Sequence, residues 1–78
     1  MVEPSSIASS IRAGLECTHL VVKGAGAHFE AVVVSPAFAG LTRVRQHQLV
    51  YAALGERKRE EIHALSMKTY SPEEWAAL

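Results

Sequence analysis

Apolar and polar positions alternate along the chain with two different periods, and the switches between them mark its elements. Ile7, Ile11 and Leu15 recur at i, i+4 and i+8 with Ala8 beside them, which predicts a short amphipathic helix; Pro4, Ser5 and Ser6 supply start signals and Gly14 a stop. The branched residues of "THLVVKG" predict a first strand that runs into a hairpin loop at "GAGA". From His28, "HFEAVVVS" sets Phe29, Ala31 and Val33 on one face and Glu30, Val32 and Val34 on the other. Both faces carry apolar residues, so this strand is expected at the centre of a sheet.

Beyond it, "SPAFAGL" predicts a compact turn with Phe38 plugging the core. Thr42 then caps a helix, "TRVRQHQLVYAALG", whose stripe is Val44, Val50, Tyr51, Ala53 and Leu54 and which Gly55 ends. The run "ERKREEI" predicts a second, solvated helix with charges paired three and four apart. In "IHALSMKTY" Leu65 and Met67 alternate with Ala64, Ser66 and Lys68, as in a third strand. "SPEEW" opens a last helix, with Ser71 as cap, Pro72 in the first helical position and Glu74 as capping-box partner. The order is αββααβα. A strand-helix-helix-strand connection crosses right-handed and lays strand three parallel to strand two. The expectation is a single α+β domain over residues 1–78, a three-stranded mixed sheet with helices packed on one face.

Length and charge narrow the function. At 78 residues the chain builds one core but no deep substrate cleft, which weighs against an enzyme with turnover of its own. Its formal net charge is zero, so no global positive field draws nucleic acid or anionic membrane, although a local basic patch stays open. One cysteine, Cys17, has no second thiol to pair with, and neither a signal peptide nor a membrane span is written in the sequence. A cytoplasmic protein with no membrane partner is the expectation.

Metal or acid-base chemistry must come from Cys17 and four histidines, His19, His28, His47 and His63. His19 is expected on the exposed face of the first strand, and His47 lies mid-helix between two glutamines. His28 and His63 differ, because each stands where one of two parallel neighbouring strands begins, at one sheet edge. Two imidazoles fall short of the three or four ligands of a self-contained zinc site. Either the pair is a coincidence of surface histidines or it is half of a site shared with a partner. "GAGA" lies in a hairpin and not between a strand and a helix, so it fails as a phosphate loop.

The helix "RVRQHQLVYAAL" followed by "IHALSMKTYSPEEW", with the loop "GAGAHFEAVVVS" and the turn "FAGLTRV", resembles the BolA family and its small bacterial, IbaG-type members. The resemblance covers nearly the whole chain, and its most specific pattern is His63, Lys68, Thr69, Pro72 and Trp75. It implies a fold similar to a class II KH domain and a role in iron-sulfur cluster assembly, trafficking or iron sensing. It implies as partner a monothiol glutaredoxin, with apo iron-sulfur proteins as recipients. The shared cofactor is a bridging [2Fe-2S] cluster to which the glutaredoxin brings its cysteine and a bound glutathione. On this chain the family's strand-three histidine matches His63. The second ligand comes from the loop between strands one and two, which holds no cysteine here and leaves His28. Cys17 precedes the first strand, outside that loop. Trp75, Tyr70 and Met67 are expected as core or docking residues.

Other family members are described as transcriptional regulators of stress response and morphology that bind DNA near the central helix-turn-helix region. Here Arg43, Arg45, Arg57, Lys58 and Arg59 form the candidate patch. Where the family often shows Arg-His-Arg, this chain reads Gln46-His47-Gln48, and Glu56, Glu60 and Glu61 dilute the rest. A recognisable GxxG clamp for single strands is also missing.

Overall fold

The structure, a computed structural model, describes residues 3–26, 28–62 and 64–78, with the side chains of residues 25, 57–59 and 61 outside the description. Its order is α1 (Pro4–Gly14), β1 (His19–Ala25), β2 (His28–Val34), a 3-10 turn (Pro36–Phe38), α2 (Arg43–Glu61), β3 (Ala64–Tyr70) and α3 (Pro72–Ala76). The sheet runs β1-β2-β3, antiparallel in the first pair and parallel in the second. The mixed sheet with a central β2 is the arrangement the alternation predicts. β2 is central because it has the most to bury: Phe29, Ala31, Val33 and Val34 are all buried.

On the helix-covered face Phe29, Ala31 and Val33 meet Ile7 and Ile11 of α1, Val50 and Leu54 of α2, and Leu15. Phe38 is fully buried from the 3-10 turn, as its place between two elements suggested. Each such side chain contributes about 1.5–3 kcal/mol by leaving water. α3 supplies Trp75 to the opposite face. Register aligns His19, Val34 and Tyr70 in one row across the sheet. The Trp75 ring stacks on His19 at 4.8 Å and tilts against Tyr70 at 5.5 Å. That cover makes His19 half-buried, although its parity points away from the core.

Two local expectations change, and the break at Gly55 stands. Pro4 does open α1, but its cap is Glu3, which makes no side-chain cap bond, and Ser5 and Ser6 lie inside the first turn. The two helices expected on either side of Gly55 are both present, separated by a kink where Gly55 takes φ 80°, ψ 162°. That left-handed φ interrupts the helical ladder while letting the chain go on in helix. Val44 was expected in the apolar stripe of α2 but is 67% exposed, whereas Gln46 is buried. The helix is turned so that Gln46, Val50 and Leu54, spaced four apart, face inward.

Candidate functional site

His28 opens β2 and is exposed. The connection from β1 is short because pairing continues to Ala25 opposite His28, leaving only positions 26 and 27 between the strands. Gly24 makes this approach possible: its φ is +146°, and a Cβ there would lie 2.4 Å from the His28 carbonyl oxygen. On its other side His28 is in register with Ala64, the first residue of β3. His63, the principal ligand expected from the sequence, lies outside the described residues; Ala64 is its chain neighbour. Parallel register thus brings the two strand starts to one edge of the sheet. No group of three or more metal-ligating side chains converges among the described residues.

Cys17 is half-buried between α1 and β1, and its thiol donates to the Leu15 carbonyl at 3.5 Å. Burial pushes its pKa up, only partly countered by the nearby Arg12, so the thiolate that would hold a metal is disfavoured.

The basic candidates separate. Thr42 caps α2 by accepting from the Arg45 backbone N–H, and Arg45 itself is exposed. Arg43 is engaged within the chain. Its guanidinium donates to the Thr69 carbonyl and to Gln46 Oε1, lies 3.8 Å from the Glu74 carboxylate and sits over the Tyr70 ring. The Arg57, Lys58 and Arg59 side chains are outside the description, so their patch is defined only as a segment of α2.

Gln46 is the residue that sequence reasoning missed. Read as a replaced phosphate contact, it is instead a buried node at 3% exposure. Its amide nitrogen donates to the carbonyls of Phe38 at 3.1 Å and Leu41 at 3.2 Å, and its oxygen accepts from the Thr69 hydroxyl at 2.7 Å and from Arg43. Only a neutral amide offers donors and an acceptor together in this volume; a guanidinium accepts nothing. The available signal was its spacing, four before Val50 and eight before Leu54. Next to it, His47 is half-buried with Nε2 buried and unpartnered among the described residues.

At the far end of β3 the capping box read from the sequence is present. Ser71 Oγ accepts from Glu74 N–H, and the Glu74 carboxylate accepts from Ser71 N–H at 3.0 Å. These bonds, with Arg43 adding to them, hold the Glu74 carboxyl below its usual range.

Comparison with known proteins gives the same answer along the whole chain. A family model described as BolA-like protein matches residues 7–74. Acid stress protein IbaG of Escherichia coli strain K12 is 38% identical over 76 residues, which are 96% of this chain and 90% of that protein. DNA-binding transcriptional regulator BolA of Vibrio cholerae is 44% identical over 57 residues, 73% of this chain but only 54% of that longer protein. A solved BolA protein homologue from Coxiella burnetii superposes with a TM-score of 0.85 at 45% identity, covering 97% of this chain and 99% of that one. With the family model spanning the sheet, both long helices and the start of α3, the chain belongs to the BolA family.

Proposed function

We propose that this chain is an adaptor in iron-sulfur cluster assembly, trafficking or iron sensing that pairs with a monothiol glutaredoxin and shares a bridging [2Fe-2S] cluster with it, His63 and His28 being the ligands on its side. The observation that supports this reading is the parallel register of exposed His28 with exposed Ala64, the residue that follows His63 in the sequence. Two imidazoles suit half of a shared cluster better than a complete site, and the partner's cysteine with glutathione completes the set. Imidazole in place of thiolate leaves the cluster less negative and raises its potential. Iron binds only the neutral ring, so acid competes for the ligand.

The test is anaerobic reconstitution with a monothiol glutaredoxin and glutathione, read by visible circular dichroism. Wild type is expected to give a spectrum distinct from that of the glutaredoxin homodimer, and His63→Ala and His28→Ala to lose it while keeping the apo far-ultraviolet spectrum. A wild-type spectrum that survives in His63→Ala refutes the assignment.

A second reading, DNA binding by Arg43, Arg45, Arg57, Lys58 and Arg59 as a transcriptional regulator, is favoured by the description of the Vibrio cholerae relative. Arg43 weakens it, since its guanidinium is already bonded to Thr69 and Gln46 and lies beside Glu74 within the chain. Duplex binding that persists at physiological salt, with no cluster formed, moves the assignment to this reading.

A further inference from the structure

The long helices pack on one face of the sheet and leave the other bare along most of its length. Register sets the side chains of that other face in three rows: Lys23, Glu30 and Ser66; Val21, Val32 and Lys68; His19, Val34 and Tyr70. Trp75 closes only the third row, where Val34 is fully buried although it stands outside the helix-packed core. The first two rows stay open: Val21 is 44% exposed, Lys23, Glu30, Ser66 and Lys68 are exposed, and Val32 is half-buried. His28 stands at the open end of this face, two residues before Glu30 on the same side of β2.

A parallel pair with one bare face is uncommon, because parallel strands are generally covered on both sides. β2 and β3 are such a pair, and Val21 and Val32 lie in the middle row of the bare face. Around them the charge is uneven. Lys23 pairs with Glu30 at 3.7 Å, while Lys68 makes no ion pair among the described residues. A hollow of about 160 Å³ has these three residues, Val32 and Ser66 in its lining. Two lysines to one acid disfavour a second copy laid face to face, which brings like charge to like, and favour a partner that presents a carboxylate.

We propose that this bare sheet face is the surface on which the glutaredoxin docks, with an apolar patch laid on Val21 and Val32 and a carboxylate opposite Lys68. The inference rests on the cluster reading: a partner that supplies the remaining ligands beside His28 meets the face on which His28 stands. The test is anaerobic reconstitution with glutathione at increasing concentrations of a monothiol glutaredoxin, reading the concentration at half-formation of the mixed-ligand circular dichroism. Val21→Glu and Lys68→Glu are each expected to raise that concentration about tenfold or more. The apo far-ultraviolet spectrum is expected to be kept and the saturated visible spectrum to be unchanged in shape, because neither residue ligates iron. Lys68→Arg, and Val44→Glu on the exposed side of α2, are expected to stay within about twofold of wild type. An unchanged midpoint in Val21→Glu and Lys68→Glu overturns the surface and leaves the cluster reading standing, whereas absence of the mixed-ligand spectrum in wild type overturns both. Sedimentation of the chain alone as a dimer that Val21→Glu returns to monomer assigns the face to a second copy and also overturns the proposal.

Discussion

At the scale of single residues, the side chain that most constrains this molecule is the neutral amide of Gln46. It ties the 3-10 turn, the start of α2 and the end of β3 together through the Phe38 and Leu41 carbonyls and the Thr69 hydroxyl. Gln46→Ala takes the side-chain donor from the Leu41 carbonyl and the acceptor from the buried Thr69 hydroxyl, while the Phe38 carbonyl keeps the Leu41 N–H; each buried group left unsatisfied costs about 1–3 kcal/mol. Part of that loss is recovered by relaxation and entering water, so an overall destabilisation of about 2–4 kcal/mol is expected in urea unfolding, with a melting temperature lower by on the order of 10 °C or more. The exposed neighbour substitution Gln48→Ala is the control, expected to stay within about 0.5 kcal/mol of wild type. Similar losses from the two substitutions would mean that the buried network carries no net stability.

At the scale of elements, the β1–β2 hairpin places His28, and one glycine makes the hairpin. In Gly24→Ala the new methyl carbon meets the backbone of His28 and Phe29 in a conformation that L residues rarely adopt. A cost of at least about 2 kcal/mol is expected, and the damage falls on the strand start that carries the ligand candidate. Hydrogen exchange of the hairpin amides tests this: faster exchange in β1 and β2 with α1 still protected is the expected pattern, and unchanged hairpin protection refutes it. The sequence marked this loop as a turn from its glycines. It did not show how far pairing extends, because extension to Ala25 and His28 rests on a backbone approach that only Gly24 permits.

At the scale of the whole molecule, α3 is tied across the end of the sheet by Trp75, by the Ser71–Glu74 capping box and by the Arg43–Glu74 pair. The Glu74 carboxyl is held below its usual range, chiefly by the Ser71 backbone bond. A depressed carboxylate stabilises the fold above its unfolded pKa, and that contribution disappears as pH falls through the folded value. Acid is therefore expected to loosen α3 before the core opens. Trp75 is the only tryptophan, so its fluorescence reports the step directly. The step is expected as pH falls from the ordinary carboxylate range to its acid side and is expected to vanish in Glu74→Gln; an identical acid profile in that variant would place the transition elsewhere.

The sequence by itself determined what depends on local periodicity and local chemistry. It specified the order of elements, the central β2, Phe38 as a core plug, the cap at Thr42, the break at Gly55 and the capping box at Ser71, because each follows from spacing or backbone preference within a few residues. It also led to the parallel pairing of β2 with β3, because the crossover connection decides which strand ends meet. Only the tertiary structure decided which side of a helix or strand end is satisfied by a distant partner. Val44 faces water and Gln46 the core because the carbonyls of Phe38 and Leu41 need donors at that point of the helix. Arg43 is drawn to Thr69, Tyr70 and Glu74, and His19 is covered by Trp75, because folding brings together groups far apart in the chain, and no period in the sequence records that distance.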